Sequence, residues 1–186
     1  MRVIAGSARG RQLVAPRGTA TRPITDRVKE TLFGILAERV IDARVLDLYA
    51  GSGSIGIEAL SRGAASCEFV ELDRRATAAI RENLERTGVA EDASVHQVDV
   101  LRYLSRAADD RFNLVFLDPP YEERAILAPL ERLVGRLTPG AVVVVKHHWR
   151  TPVPEPPGLT NWRERRFGET TLTFLEANDG ADGVEE

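Results

Sequence analysis

The stretch that decides the fold is residues 45–56, which read VLDLYAGSGSIG. A short apolar run passes into a turn that contains Gly51 and Gly53, and a helical pattern follows. A glycine turn between a first strand and a helix lets a nucleotide ligand approach the backbone closely. The stretch therefore predicts a strand, a turn and a helix that together bind a nucleotide-containing cofactor.

Downstream, apolar runs alternate with helical patterns, and these runs are the predicted strands at 67–72, 94–98, 112–117 and 141–146. Such alternation implies right-handed crossovers and a parallel sheet that helices cover on both faces. The helical pattern before the last of these strands is predicted to stop at Thr138-Pro139-Gly140. Two final strands, 161–167 and 170–176, are joined by Gly168-Glu169, and so short a turn forces an antiparallel pair. The predicted fold is α/β, with a mostly parallel seven-stranded sheet that ends in an antiparallel hairpin.

The two ends of the chain differ in charge. Residues 1–30 carry seven basic and two acidic side chains, whereas the last eleven residues carry five acidic side chains and no basic one. Short apolar runs around Gly6–Gly10 predict an N-terminal β-hairpin with a flexible basic tip. We therefore divide the chain into a hairpin and basic loop (1–24), one α/β domain (25–176) and a disordered acidic tail (177–186).

Composition excludes several classes of protein. Cys67 is the one cysteine, so the chain has neither an intrachain disulfide nor a cysteine-rich metal site. The N-terminus lacks the apolar stretch of a signal peptide, and no segment approaches the roughly 20 apolar residues of a membrane span. We expect a cytoplasmic protein without metal or membrane partner. The net charge of −3 argues by itself against a nucleic-acid partner, but the basic N-terminus can form a local phosphate-binding patch.

Acidic residues lie at the predicted strand ends, where they can bind a cofactor. Glu71 ends the second strand and can accept hydrogen bonds from ribose hydroxyls, although Asp73 could compete for that role. Asp99 follows the third strand, where it can accept from an adenine amino group, cap the next helix, or do both. Asp47 precedes the glycines by four residues, a position that suits a ligand with an amino-acid moiety and a sulfonium better than a pyrophosphate.

The glycine turn alone leaves the ligand open. Gly51, Gly53 and Gly56 satisfy the G-x-G-x-x-G pattern, and Glu71 follows Gly51 by twenty residues. This combination fits the fingerprint of dinucleotide-binding proteins. An NAD-binding oxidoreductase, or a cofactor-binding module without catalysis, is therefore a serious alternative at this point.

The deciding element is Asp118-Pro119-Pro120-Tyr121 after the fourth strand. Ligands of open parallel sheets bind outside the carboxyl ends of the strands. The Asp118 carboxylate and the Pro119 carbonyl could accept both hydrogens of an exocyclic base amino group and direct its lone pair at a methyl donor. Tyr121 offers a ring on which the base can stack. Asp118, Pro119 and Tyr121 are the predicted catalytic residues.

These motifs resemble those of a known family. The Asp-Pro-Pro-Tyr motif resembles that of amino methyltransferases, and the glycine turn resembles the cofactor motif of class I S-adenosylmethionine enzymes with a Rossmann-like fold. Residues 2–6, 10–11 and 22–30 are similar to the RsmD family of bacterial 16S ribosomal RNA guanine-N2 methyltransferases.

The resemblance implies S-adenosylmethionine as cofactor and 16S ribosomal RNA as substrate, either naked or within a small-subunit assembly particle. It places Asp47, Gly51 and Gly53 at the methionine end of the cofactor, Glu71 on the ribose and Asp99 near the adenine. Tyr49, which lies between Asp47 and the glycines, is a further candidate for cofactor binding. It also implies that the N-terminal hairpin and the following loop touch RNA, through the candidates Arg9, Arg11, Arg22 and Arg27. A DNA adenine-N6 or cytosine-N4 methyltransferase shares this pocket and is the second alternative.

Overall fold

The structure is a computed structural model that describes residues 1–16, 24–107, 111–119 and 124–178. The predicted roles of Arg22 and Tyr121, and the predicted disorder of residues 179–186, lie outside the described residues. Within the described residues, the α-helices are α1 (Asp26–Leu36), α2 (Ser54–Ser61), α3 (Arg74–Thr87), α4 (Val100–Leu104) and α5 (Arg124–Leu133). The strands are β1 (Arg44–Leu48), β2 (Ser66–Glu71), β3 (Ala93–Gln97), β4 (Phe112–Leu117), β5 (Leu137–His148), β6 (Leu159–Phe167) and β7 (Thr170–Ala177).

The seven strands form one sheet in the order β3-β2-β1-β4-β5-β7-β6. Strands β1 to β5 pair in parallel, whereas β7 pairs antiparallel with β5 and β6 antiparallel with β7. The predicted fold class is therefore confirmed, including the hairpin at Gly168-Glu169. The order reverses between β1 and β4, and in such sheets the crevice outside this reversal is where ligands bind.

Both faces of the sheet are buried, which explains the near-continuous apolar runs of the central strands. Alternate residues of each strand contribute to two cores. Val45, Leu114 and Val144 pack with α1, α2 and the N-terminal residues on one face. Leu46, Val115 and Val145 pack with α4 and α5 on the other. The loops at the carboxyl edge are thus carried by a sheet that is held from both sides.

Two local predictions are wrong. The segment Thr138-Pro139-Gly140 does not end a helix but lies inside β5, because Leu137 pairs with Phe112 and a register shift separates this pair from the regular ladder. β7 ends at Ala177, one residue beyond the predicted boundary, and Ala177 is buried.

Residues 1–16 dock on the domain. The two arms run antiparallel with a single β-bridge, Arg2 to Gln12, so the predicted hairpin is present in a minimal form. Its tip is not free as predicted, because the Ser7 amide donates to the Ser61 carbonyl (2.8 Å) and the Ala8 amide to the Ser61 hydroxyl (2.9 Å). Ala8 is accordingly buried. The tip is therefore a packed part of the domain surface.

A buried carboxylate, that of Glu58 on α2, holds the N-terminal segment in place. Its two oxygens accept from the amides of Ile4 (2.8 Å) and Ala5 (3.0 Å), and Oε2 also accepts from Lys29 Nζ (3.2 Å). Lys29 Nζ donates in addition to the Arg2 carbonyl (2.5 Å). Both charged side chains are fully buried, and burial lowers the pKa of Lys29 while Glu58 opposes this shift. The pair satisfies backbone groups that the single-bridge hairpin leaves without partners.

We predict that Glu58→Ala destabilises the protein by about 3–5 kcal/mol, because it leaves the Lys29 ammonium buried without its counter-charge. Equilibrium unfolding in urea measures the change. The control is Glu82→Ala on α3, which breaks the exposed ion pair with Arg86 (2.7 Å) and should cost less than about 1 kcal/mol. Equal losses in the two variants would contradict the anchoring role of Glu58.

Candidate active site

The glycine turn after β1 adopts a conformation that few side chains permit. Tyr49, Gly51 and Gly53 have φ values of 58°, 57° and 74°, all in the left-handed region. A Cβ added at Gly53 would lie 3.2 Å from Ile80 and 3.3 Å from Phe69, so a larger residue would also crowd these side chains. Gly53 directly precedes the first turn of α2, and the turn therefore delivers the backbone to a helix N-terminus.

An open region and the hydroxyl group of Ser54 lie beside this turn. A Cβ added at Gly51 would meet no atom within 4 Å, so the backbone there faces an open region at the carboxyl edge. Ser54, the first residue of α2, has a buried hydroxyl oxygen with no hydrogen-bond partner within the described part of the chain. Helix N-termini carry free amides that favour polar ligands. The turn thus fits a ligand that approaches the backbone at Gly51 and hydrogen bonds near Ser54.

Asp47 lies behind the glycine turn. Its carboxylate is buried and accepts a hydrogen bond from the Gly56 amide (3.0 Å) in the first turn of α2. Burial raises the pKa of Asp47 to about 8; the nearby carboxylates of Asp118 and Glu71 add to this shift and the Gly56 hydrogen bond opposes it. The structure therefore shows Asp47 bracing the turn, whereas its predicted contact with a cofactor stays a prediction.

Glu71 connects the ends of β1 and β2. Its Oε2 accepts from the Gly51 amide (2.9 Å), and its Oε1 accepts from the Asp73 amide (2.9 Å). Asp73 itself caps α3, because its carboxylate accepts from the amides of Arg75 and Ala76 (2.8 Å each). The next residue after Glu71, Leu72, is 63% exposed and presents an apolar side chain at this edge. Sequence reasoning missed Leu72 because the predicted strand 67–72 includes it, whereas β2 ends at Glu71.

Asp99 and Tyr49 lie at the same edge. The Asp99 carboxylate accepts from the Arg102 amide (3.0 Å) and so caps α4, as one of its two predicted roles requires. The preceding residue, Val98, donates its amide to the Glu71 carbonyl (3.1 Å). Burial raises the pKa of Tyr49, and the Asp99 carboxylate adds to the shift. Tyr49, Glu71 and Asp99, at the carboxyl ends of β1, β2 and β3, thus lie in one region.

Asp118 stands next to this region. Its amide donates to the carbonyl of Leu48 (3.3 Å), the last residue of β1, and its carboxylate accepts from Lys146 Nζ (2.6 Å). The carboxyl is half exposed yet crowded by protein, and this burial raises the pKa of Asp118 while the Lys146 ammonium opposes the shift. Pro119 is buried. The backbone after β4 is therefore joined to the backbone before the glycine turn.

Lys146 is a residue of the site that sequence reasoning missed. It lies on β5, next to Val145, which pairs with Leu117 immediately before Asp118. Its side chain is 18% exposed, so the ammonium is held against Asp118 rather than spread into solvent. The available signal was a lone lysine after five apolar residues at the carboxyl end of a predicted strand.

The predicted RNA-binding arginines are more dispersed. Arg9 and Arg11 are exposed on the docked N-terminal segment, and Arg27 is exposed on α1. The open end of that segment adjoins the glycine turn, because Asn83 donates both to the Val14 carbonyl (3.0 Å) and to the Ser52 carbonyl (2.9 Å). The structure does not bring these arginines into contact with Asp118.

The described ranges lack two features. They contain no group of three or more His, Cys, Asp or Glu side chains that could hold a metal ion. They also contain no helix that is long and apolar enough to cross a membrane.

Known proteins are similar to this chain over nearly its whole length. A family model described as "Conserved hypothetical protein 95" matches residues 1–176. YlbH from Bacillus subtilis (strain 168) is 41% identical over 181 residues, which cover 95% of this chain and 98% of that protein. A protein of Escherichia coli (strain K12) named "Ribosomal RNA small subunit methyltransferase D" is 38% identical over 182 residues, 95% of this chain and 89% of that protein.

The fold has solved counterparts. The structure of yhhF from Escherichia coli matches with a TM-score of 0.86 and 34% identity, and the match covers 97% of this chain and 99% of that one. The two chains thus share the fold described above over nearly their whole lengths.

The buried Asp47 carboxyl predicts a pH-dependent effect on stability. Its pKa rises from an ordinary 3.8 to about 8 in the folded protein. Between these values the folded protein holds a proton that the unfolded chain releases, so the stability contributed by this group falls as pH rises. We expect Asp47→Asn to stabilise the ligand-free protein, by a margin that grows across this window.

Urea unfolding of both proteins over a series of pH values measures the effect. The matched control is Asp92→Asn, because the Asp92 side chain is exposed in the turn before β3. A difference between wild type and Asp47→Asn that stays constant with pH would refute the buried, protonated state of Asp47.

Proposed function

We propose that this chain, which belongs to the family described as "Conserved hypothetical protein 95", transfers a methyl group from S-adenosylmethionine to the exocyclic N2 of a guanine in small-subunit (16S) ribosomal RNA. This is the reaction that the resemblance to the RsmD family predicted. The observation that carries this proposal is the hydrogen bond between the Asp118 amide and the Leu48 carbonyl. It joins the predicted amino-group acceptor to the start of the glycine turn. A methyl donor on the turn and a base beside Asp118 would therefore be neighbours.

The residues around the turn fit S-adenosylmethionine. The open backbone at Gly51 and the unpartnered Ser54 hydroxyl suit its methionine part, and the Glu71 carboxylate suits its ribose hydroxyls. Asp99 and the exposed Leu72 offer an acceptor and an apolar surface for the adenine. When bound, the cofactor supplies a methyl group that its sulfonium has already activated. The chain therefore needs no metal for this chemistry.

Asp118 and Pro119 act on the methyl acceptor. The guanine N2 is a weak nucleophile because its lone pair is delocalised into the ring. An acceptor carboxylate and an acceptor carbonyl hold its two hydrogens and direct the lone pair out of the ring plane. Positioning and fixed electrostatics of this kind supply most of the rate enhancement. Tyr121, as a stacking partner of the base, remains a prediction from the sequence, and the guanine must be unpaired or extruded to reach this site.

Lys146 keeps Asp118 in its acceptor state. An ionised carboxylate accepts hydrogen bonds from both sides, whereas a protonated one presents a donor as well. Burial favours the protonated form of Asp118, and the ammonium at 2.6 Å favours the ionised form. The pair thus holds the carboxylate in one orientation and one charge state.

No observation favours the alternatives. The Escherichia coli relative is named as a methyltransferase of small-subunit ribosomal RNA, and it covers 95% of this chain. Neither a dinucleotide oxidoreductase nor a DNA methyltransferase finds support among these relatives. We further propose that the protein works in the cytoplasm, on RNA or on a partly assembled small-subunit particle.

Radiolabelled methyl transfer from S-adenosylmethionine tests the proposal. The substrates are small-subunit ribosomal RNA and particles from cells that lack this protein, with nucleoside analysis of the product. We expect label in N2-methylguanosine. Label in a methylated adenine or cytosine would overturn the substrate but keep the reaction, and absence of label in both substrates would overturn the proposed activity.

Asp118→Ala should reduce turnover to the detection limit while the affinity for S-adenosylmethionine, measured by calorimetry, changes little. The reason is that the Asp118 carboxylate binds the amino group of the methyl acceptor, whereas the glycine turn binds the cofactor. Asp92→Ala, at the opposite edge of the sheet, is the control with normal turnover. Near-normal rates in Asp118→Ala would rule out this mechanism.

Lys146→Met should shift the acidic limb of the pH profile of kcat/KM to higher pH, because Asp118 loses the cation that lowers its pKa. Lys146→Arg should restore much of the wild-type profile. The control is Arg39→Met, which breaks the ion pair with Glu176 (2.7 Å) and should leave the profile unchanged. A profile that does not move in Lys146→Met would show that the ammonium has no part in setting the charge of Asp118.

A further inference from the structure

We propose that Trp149, Arg150 and Arg166 form a binding platform for single-stranded RNA beside the target guanine. An unpaired base that flanks the target stacks on Trp149, and the two arginines bind the adjoining phosphates. This proposal rests on the proposed function, since it takes RNA as the substrate. The three residues are called the Trp149 platform below.

The platform presents an aromatic ring held by cations. The guanidinium carbon of Arg166 lies 4.0 Å from the centroid of a Trp149 ring, and that of Arg150 lies 4.8 Å from it. Trp149 is nevertheless 39% exposed, which is a large exposed fraction for an indole. Its backbone is fixed, because the Trp149 amide donates to the Glu169 carbonyl (2.9 Å). The ring is therefore both oriented by the protein and accessible from outside.

The charge around the ring is predominantly positive. None of the ion pairs within the described residues involves Arg150 or Arg166. Arg166 Nε donates to the Gly168 carbonyl (2.7 Å), a neutral acceptor that leaves its charge uncompensated. The nearby carboxylate of Glu164 accepts from the Thr173 hydroxyl (3.1 Å) and from the Asn161 amide (3.3 Å). Glu164 lines the same cavity as Arg150 and Arg166, so two guanidinium groups outnumber one carboxylate among the residues that line it.

The platform borders an open cavity of about 510 Å³, which is also lined by Thr151 and Thr171. An aromatic face with flanking arginines is the combination that binds single strands, since every base has a face to stack and every nucleotide carries a phosphate. Single-stranded RNA is therefore the occupant that fits.

Position ties the platform to the reaction. Trp149 follows β5, three residues after Lys146, whose ammonium contacts Asp118. The strand ends at His148, so Trp149 begins the turn at the carboxyl edge of the sheet, the edge that also carries Asp118. A nucleotide next to the extruded guanine would pass along this edge.

The chain contains a matched control. Trp162 on β6 is 38% exposed and has Arg39 at 5.7 Å from its ring centroid. Arg39, however, is neutralised by Glu176 (2.7 Å) and also contacts the Gly140 carbonyl near the amino end of β5. Trp162 and Arg39 thus form an indole and arginine pair of similar exposure, at the opposite edge and without free charge.

Kinetics and binding provide the first test. In Trp149→Ala, the KM for small-subunit RNA should rise about tenfold, as expected for loss of one base stack, with kcat and cofactor affinity unchanged. Trp149→Phe should keep most of the affinity. Arg150→Gln and Arg166→Gln should each lower the slope of log affinity against log salt by about 1. Trp162→Ala and Arg39→Gln should match the wild type.

Fluorescence provides a test that a merely structural role would not affect. The chain has two tryptophans, so Trp162→Phe leaves Trp149 as the sole indole and Trp149→Phe leaves Trp162. Titration with protein-free small-subunit RNA should quench the first variant and leave the second nearly unchanged, because stacking affects only the ring that contacts a base.

The outcomes separate the two proposals. If the wild type methylates neither RNA nor particles, the proposed function is overturned, and so is the platform that rests on it. If the wild type is active but Trp149→Ala keeps its KM and the Trp149 fluorescence does not respond to RNA, the platform is overturned and the proposed function stands.

Discussion

Strand β1 pairs in parallel with β2 on one side and with β4 on the other, so these three strands end at the same edge of the sheet. This alignment brings Glu71 and Asp118 to the glycine turn, although they are far apart in the chain. It also has an electrostatic cost, because both carboxylates raise the pKa of Asp47 behind the turn. Lys146 on β5 compensates part of this negative charge, and it does so at Asp118, the carboxylate that is proposed to bind the methyl acceptor.

The buried carboxylate of Glu58 connects the N-terminal segment to the helix that follows the glycine turn. The hairpin pairs some of its backbone groups across its two arms but leaves the amides of Ile4 and Ala5 to other partners, and an unpaired buried amide costs as much as a lost hydrogen bond. Glu58 accepts from both of these amides, and Lys29 compensates the charge of Glu58. Because Glu58 belongs to α2, the helix that begins at the glycine turn, the N-terminal residues and the predicted cofactor site rest on one element. Substrate contacts at the exposed arginines of this segment would act on a surface that adjoins the turn.

The parts predicted from the sequence are those that depend on neighbouring residues. The apolar run and the glycines of residues 45–56 specify their own strand and turn, and Asp118 follows its strand directly. The start of β5 could not be predicted, because Thr138-Pro139-Gly140 resembles a loop until Leu137 pairs with Phe112 across the sheet. Lys146 was missed for a similar reason: its contact with Asp118 depends on β4 and β5 being neighbours, and strand order is a property of the whole fold. The hydrogen bond that the Asp47 carboxylate accepts from the Gly56 amide could not be predicted either, because it depends on how α2 packs against β1.

The net charge of −3 is a poor guide to the partner of this protein. Electrostatic attraction to a phosphate depends on cations whose charge is locally uncompensated, and pairing decides this residue by residue. Arg39 contributes little to an external field because Glu176 neutralises it at 2.7 Å, whereas Arg166 beside an equally exposed indole donates only to a carbonyl. An acidic protein can therefore present a basic edge, provided that its acidic side chains are engaged elsewhere. The surroundings of Trp149 illustrate this, because two guanidinium groups outnumber the one carboxylate that lines the same cavity.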